Sequence, residues 1–484
     1  MKLTRRELVL STTAGIVSSK AFGQTKPHIF ILGAGLSGLS SALQLARKGF
    51  TVTIIEARDR IGGRVLSLRK PFRDGQYVEL GGETIGDGYK RFLGYADEFG
   101  IKYEAVSAEI GTGGTVADLQ KRIATSAVLK GKLYPAGSTL DSNPYNLSAT
   151  EAAELPPTLL IKHIVSMAAE VRANPAKLAE YDAMSLAAAL RKRGVSDEMI
   201  RLMNISLNYN SIETVSMGGI LWESRRRASV GTKAIRVIGG NDQLPAALYQ
   251  AVLKAGVKVV LESKVTDISW ADARATVTFQ NKKRKSEKVV ADKIICTIPF
   301  SVLRNVRFTP SLPQTKQRAI NELSYTHITK VFLQAKRSEW DSRNLGSSVW
   351  TDTPCERIFN AAGKKGDERG IFTIWSDGIG ATEPEKLSDD KRIVWGKKMF
   401  GETLPFMRSG IESGATKSWT NDEFVRGAYS HFTVGQLTAL QPHIKTPVGQ
   451  IYFAGEHTAE NAPGMEGALE SAERVVAEIV KADK

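Results

Sequence analysis

From His28 to Glu56 the chain carries a succession of residues that few folds can hold. A short apolar run, His28-Ile29-Phe30-Ile31-Leu32, leads straight into Gly33-Ala34-Gly35-Leu36-Ser37-Gly38. Leu36, Leu39, Leu43 and Ala46 then recur at helical spacing, Gly49 breaks the pattern, and Thr51-Val52-Thr53-Ile54-Ile55 reads as a second strand ending at Glu56. Strand, glycine turn, helix and parallel strand make one α/β unit. Gly33 permits the sharp turn, Gly35 lets a pyrophosphate come against the backbone, and Gly38 lets the helix pack on the strand. The helix N-terminus, at Leu36 and Ser37, offers unpaired N–H groups to phosphate oxygens, and Glu56 stands where it can accept from ribose hydroxyls. A dinucleotide site is expected, with NAD and FAD both compatible.

The next residues discriminate. Glu56-Ala57-Arg58-Asp59-Arg60-Ile61-Gly62-Gly63-Arg64 adds a second Gly-Gly turn closed by an arginine, where backbone and guanidinium meet the pyrophosphate from another side. This segment resembles the flavin-dependent amine oxidase family of monoamine, polyamine and L-amino-acid oxidases, whose pattern here is an acid, an Arg two residues on, and Gly-Gly-Arg. The resemblance returns along most of the chain. Glu79-Leu80-Gly81-Gly82, with Glu83 next, is similar to the segment that passes the flavin ring. Gly239-Gly240-Asn241-Asp242-Gln243-Leu244 is similar to the Gly-Gly turn leading a helix, and Ser263-Lys264-Val265-Thr266-Asp267-Ile268 to the strand where the Val265 backbone meets the adenine. Tyr452-Phe453-Ala454-Gly455-Glu456-His457-Thr458, continued by Gly464-Met465-Glu466-Gly467-Ala468, resembles the closing flavin motif. The resemblance implies that Gly455 and Glu456 lie over the ribityl chain and phosphate. It also implies that the helix starting near Met465 points its N-terminus at the flavin pyrimidine, where reduced flavin gathers negative charge. Leu469, Ala472, Val476 and Ile479 give that helix a buried stripe.

Lys330 interrupts the apolar strand Ile328-Thr329-Lys330-Val331-Phe332-Leu333. On pattern alone it is an edge lysine reaching solvent or a buried ammonium with a partner; the resemblance implies the second, the matching lysine holding a water against flavin N5. Lys417-Ser418-Trp419, followed by Asp422, Gly427, Ala428 and Tyr429, resembles the family's tryptophan segment beside the flavin. Two departures matter. Ala428 stands where animal monoamine oxidases carry the cysteine bonded to flavin, which implies FAD held non-covalently. Gly464 stands where the second tyrosine of the substrate cage would be, which leaves Tyr429 alone and room for a larger or carboxylate-bearing substrate. The implied reaction is hydride loss to FAD from the carbon bearing a neutral amine, imine hydrolysis, and reoxidation by O2 with H2O2 release or by an exported electron acceptor. Lys330, Trp419 and Tyr429 are the residues expected to act. Three other readings stay open. One is an L-amino-acid oxidase or tryptophan-2-monooxygenase-like enzyme, in which one of Arg225-Arg226-Arg227 clamps a substrate carboxylate, although that triplet also reads as a solvated helix face. Another is a carotenoid-desaturase-like or porphyrinogen-oxidase-like flavoprotein, and the last a flavoprotein that senses a ligand without turnover. Glu83 either attracts a cationic amine or pairs with a structural arginine.

Composition limits the rest. With 484 residues, 42% of them hydrophobic and 24% charged, the chain is expected to be globular, neither disordered nor a disulfide scaffold. Its net charge of +15 is accompanied by no nucleic-acid motif, and the densest cluster, Lys282-Lys283-Arg284-Lys285, reads as a solvated hairpin tip. Cys296 and Cys355 are expected to be free, and six scattered histidines show no metal spacing, so no metal is expected. No apolar run reaches the roughly 18 residues of a membrane helix. Residues 1–23, with Arg5-Arg6, a weakly apolar middle and Ala21-Phe22-Gly23, resemble a twin-arginine export signal, implying a periplasmic destination. Chain order predicts an α/β, Rossmann-type FAD-binding domain from 27–90, 235–300 and 415–484, interleaved with an α+β substrate-binding domain from 91–234 and 301–414.

Overall fold

The computed structural model describes residues 26–109, 125–135, 145–271, 273–343 and 345–483, so the export-signal expectation for residues 1–23 lies outside the described residues. One part of the molecule is built on a five-stranded parallel sheet in the order Lys258–Val260, Thr51–Ile55, His28–Leu32, Lys293–Cys296, Ile451–Phe453, drawn from both ends of the chain. A parallel sheet needs cover on both faces, and alternation along the middle strand provides it. Ile29 and Ile31 pack toward the helices Leu36–Arg47, Gln243–Lys254 and Gly464–Ala482. Phe30 and Leu32 pack toward the antiparallel strands Lys264–Ala271, Arg274–Gln280 and Ser286–Ala291. Lys282 to Lys285 form the exposed turn between the last two of these strands. The first helix lies so close to the glycine turn that a Cβ on Gly38 would collide with the Gly33 carbonyl.

A seven-stranded sheet organises the other part, in the order Ile411–Ser418, Ile328–Lys336, Arg369–Asp377, Arg357–Ala362, Ser348–Thr351, Thr125–Leu129, Lys132–Tyr134. The strand Ile328–Lys336 is antiparallel to a neighbour on each side, and eight of its nine residues are buried, so Lys330 occupies an interior strand rather than an edge. A helical layer covers one end of this sheet, with Trp350 in its core. Its helices Leu186–Arg191, Asp197–Met203 and Met217–Arg227 begin at Ser185, Ser196 and Ser216, whose hydroxyls each accept from the N–H three residues on. The last of them brings Arg225 and Arg226 to the carbonyls of Glu460 and Ala462, just before the closing helix. Cys296 and Cys355 are buried and unbridged. Among the described residues no helix is long and apolar enough to cross a membrane.

Candidate active site

A continuous cavity of about 1690 Å³ runs from the glycine turns to the seven-stranded sheet. Gly33, Gly35, Leu36 and Ser37 line it from the first turn, Ala57, Arg58, Gly63 and Arg64 from the second, and Gly81, Gly82, Glu83, Val265, Gly455, Glu456 and Met465 from other segments. Gly38 lies behind, as the packing glycine. Gly33 has φ +111°, and a Cβ there would strike the Thr297 hydroxyl; at Gly35 the Cβ direction is empty to 4 Å and opens on the cavity. The helices Leu36–Arg47 and Gly464–Ala482 both begin without a side-chain cap, and both beginnings line the cavity. Two sets of unpaired N–H groups and two positive helix ends therefore face one space. A dinucleotide with an anionic pyrophosphate and an electron-rich ring fits that arrangement. Around it the anchors are braced: the Glu56 carboxylate accepts from the N–H groups of Ala34 (2.7 Å) and Arg58 (2.9 Å), Arg58 pairs with Asp422, and Arg64 donates to the Ala428 carbonyl (2.8 Å) and to Glu456 (3.1 Å).

Deeper in the cavity, Lys330 is 2% exposed and its Nζ donates to the carbonyls of Glu79 (3.1 Å) and Gly81 (3.3 Å) and to Glu83 Oε2 (3.0 Å). An ammonium has three N–H groups, and these three acceptors take them all. Of the two readings of Glu83, the pairing with a structural arginine is not what the structure has; its ion-pair partner among the described residues is Lys330. Trp419 Nε1 donates to the Leu80 carbonyl (2.8 Å), and a Cβ on Gly81 would sit 3.0 Å from its ring, so residues 81, 330 and 419 meet. A Cβ on Gly82 would lie 2.8 Å from Met465 Sδ, which seats the closing helix against the same turn. Tyr429 lines the cavity and donates from its hydroxyl to the Asn208 carbonyl (2.7 Å); burial, then the nearby Asp377, holds that phenol well above its ordinary pKa.

The arginine triplet does not form a uniformly solvated face. Arg225 is exposed, whereas Arg226 is buried, donating to Glu223 (2.9 Å) and to the Ala462 carbonyl (2.6 Å). Arg227 has 51% of its side chain accessible, but that surface lines the cavity. Among the described residues only its Nε is engaged, 3.1 Å from Glu223 Oε1. Burial opposes its charge, and Glu223 together with Tyr209, Tyr429 and Tyr89 outweighs it, so the guanidinium stays firmly protonated.

Residues 36–480 match the model of the flavin containing amine oxidoreductases. The chain belongs to that family. Among its relatives is the Bacillus subtilis (strain 168) protein YobN, whose name assigns it provisionally as an L-amino-acid oxidase, 29% identical with 94% of this chain and 95% of YobN covered. Another is the L-amino-acid oxidase of Sistrurus catenatus edwardsii, 27% identical over 90% of this chain and 83% of its own length. Cyclohexylamine oxidase from Brevibacterium oxydans shares the fold, with a TM-score of 0.76 at 18% identity, covering 94% of this chain and 99% of its own.

This amine oxidoreductase also lines its cavity with residues that carried no sequence signal. Trp375 comes from the strand Arg369–Asp377, and its ring has Lys330 Nζ at 4.7 Å and Arg357 Cζ at 5.3 Å. Only strand register, Lys330 opposite Trp375, brings them together. Tyr89 places its hydroxyl 3.4 Å from where a Gly464 Cβ would be, and burial pushes it up to about 12. Behind Trp375, burial raises Asp377 to about 7, and burial with the charge of Asp377 raises Glu356. An acid whose folded pKa is raised stabilises the fold at low pH and loses that contribution as pH climbs toward the folded value. Asp377→Asn should therefore flatten the decline in melting temperature between about pH 4 and pH 7; thermal scans in a pH series would show it, and an unchanged decline would place the titration elsewhere.

Proposed function

We propose that the protein binds FAD non-covalently and oxidises amines. The observation that carries this is Lys330, a buried ammonium on an interior strand whose Nζ reaches the Gly81 carbonyl beside Trp419, in a cavity that two uncapped helix ends face. Gly33, Gly35, Leu36 and Ser37 would hold the pyrophosphate, Glu56 the ribose, Val265 the adenine, and Gly455, Glu456 and the start of the closing helix the ribityl chain and pyrimidine. Ala428 offers no thiol for a bond to the ring. Bound FAD supplies the acceptor for the hydride lost from the amine-bearing carbon, and water then splits the imine to a carbonyl and ammonia. The chain's own part is to orient the amine against Tyr429 and Trp375, to keep the pocket dry, and to hold the Lys330 cation in place.

Arg227 favours an amine that also carries a carboxylate, as in the L-amino acids its relatives are named for. Its two Nη groups make no hydrogen bond among the described residues, and a planar fork of this kind matches a carboxylate. Arg227→Ala should raise the Michaelis constant for L-amino acids by about 10- to 100-fold while leaving simple amines unaffected, since a charged hydrogen bond contributes about 1.5–3 kcal/mol. Anaerobic stopped-flow bleaching of the flavin band by a panel of amines and L-amino acids tests both points. No bleaching by any member would defeat the amine reading, and equal losses for amines and amino acids in the variant would defeat the carboxylate reading.

The segments 27–90, 235–300 and 415–484 form the cofactor-binding domain of this proposal, with the remainder framing the substrate. Arg5-Arg6 and the residues after them support export to the periplasm by the twin-arginine route. That route carries folded protein, so FAD would be seated beforehand. Reoxidation falls to O2 or to an acceptor in that compartment.

A further inference from the structure

We propose that Glu83 takes the proton from the substrate's ammonium, exchanging its bond to Lys330 for a bond to the amine. The inference rests on the amine-oxidising reading above. Aliphatic amines arrive in neutral water almost wholly as ammonium, with pKa values of roughly 10, and an ammonium nitrogen has no lone pair to assist loss of hydride from its neighbouring carbon. A dry pocket therefore needs an acceptor for one proton.

The carboxylates lining the cavity narrow to one. Glu56 is held by two backbone N–H groups, and Glu456 by Arg64 and by Ser430 (2.9 Å). Glu223 is shared by Arg226 and Arg227, Glu322 is paired with Arg318, and Glu423 with Lys264. Two of the six have an ammonium as partner, but Lys264 beside Glu423 is exposed on the surface, whereas the partner of Glu83 is the buried Lys330, beside Gly81 and Trp419. The Glu83 backbone carbonyl is fixed by Asn241 Nδ2 (3.0 Å), which leaves the side chain as the part free to move, and that side chain is 29% accessible against 2% for Lys330. One side of the carboxylate meets Lys330 and the other meets the cavity. The charged and titratable groups around it are Lys330 from the strand Ile328–Lys336, Glu79 from Val78–Glu79, whose own oxygens are taken by Asn241 N–H and Ser67, and Arg357 across the Trp375 ring.

When a substrate ammonium enters, two cations share one carboxylate, and their repulsion favours release of a proton. The N–H bond breaks, its electron pair stays on nitrogen as the lone pair, and an O–H bond forms at Glu83. No net charge is added beyond that of the ammonium itself. Protonated Glu83 loosens its hold on Lys330, and one Nζ–H becomes available to a water in the cavity.

The test uses the full FAD-loaded chain, Glu83→Gln and Glu83→Ala. The probes are 2-aminoisobutyrate and 2-phenylpropan-2-amine, whose amine-bearing carbons carry no hydrogen, so they bind without turnover. Kd is read from the flavin absorbance shift across about pH 6 to 9. The expected result is a Kd in both variants that rises more steeply than the wild-type Kd as pH is lowered, by about tenfold for each unit, because only free base then binds; titration of the neighbouring Glu79 and Asp377 is common to all three proteins and cancels in that difference. The same slopes apply to the bleaching rate with any oxidised amine. Bleaching with equal slopes in wild type and variants would overturn this proposal alone; a panel without bleaching would overturn it together with the amine reading.

Discussion

Lys330→Met should give a folded, flavin-loaded protein whose reduction by substrate is slowed by about two orders of magnitude, the lower range for loss of one preorganised electrostatic group in a buried site. The fold should survive because Met matches the stem of Lys within the apolar strand, and Val331, Phe332 and Leu333 stay packed. What disappears is the cation that joins the carbonyls of Glu79 and Gly81 to Glu83. A carboxylate left beside the reacting carbon without its counter-charge also binds the incoming ammonium more tightly, so the Michaelis constant should fall or hold while turnover drops. The ratio of flavin to protein absorbance reports loading, and anaerobic stopped flow reports the rate. Wild-type bleaching in the variant would remove Lys330 from the reaction.

The second large effect separates two glycines that look alike in sequence. Gly35 has φ −77° and ψ −178°, which alanine adopts freely, and its Cβ direction is empty. Gly35→Ala should leave apo-protein stability unchanged or raised by about 0.5 kcal/mol, yet cost FAD affinity about 10- to 100-fold, since the new methyl stands where the phosphate must come. At Gly81 a Cβ would fall well inside contact distance of the Arg64 carbonyl, which is backbone and cannot step aside. Gly81→Ala should destabilise the apo fold itself by roughly 3 kcal/mol. Melting curves with and without FAD, together with FAD titration by fluorescence quenching, distinguish the cases. A Gly35→Ala protein that binds FAD as wild type does would place the phosphates elsewhere.

The glycine-turn end of the cavity was legible because its determinants are local. A turn needing φ of +111° at Gly33, a helix beginning at Leu36 and an acid closing the next strand all lie within one short segment. Lys330 was legible as an anomaly, a charge in a run of apolar residues. The opposite end was legible only in part, through Glu83, Tyr429 and the arginine triplet. Trp375 reaches Lys330 through strand register, Tyr89 reaches Gly464 across a helix start, and Arg227 differs from Arg225 only by its angle around one helix. Pairings of this kind arise from tertiary packing between segments far apart in the chain, and no spacing rule records them.

The parallel sheet has a consequence for how the protein is made. Its fifth strand, Ile451–Phe453, and the helix Gly464–Ala482 are the final elements described. During synthesis, at about 5–20 residues per second, the strand Lys293–Cys296 waits with one edge unpaired. Until translation passes Glu456 the cavity lacks that acid, and until it passes Met465 it lacks its second helix end. Under the proposed placement of the cofactor, loading follows that point, and a fragment stopped before Ile451 would be an apo species with an open β edge, prone to aggregate and suited to capture by chaperones.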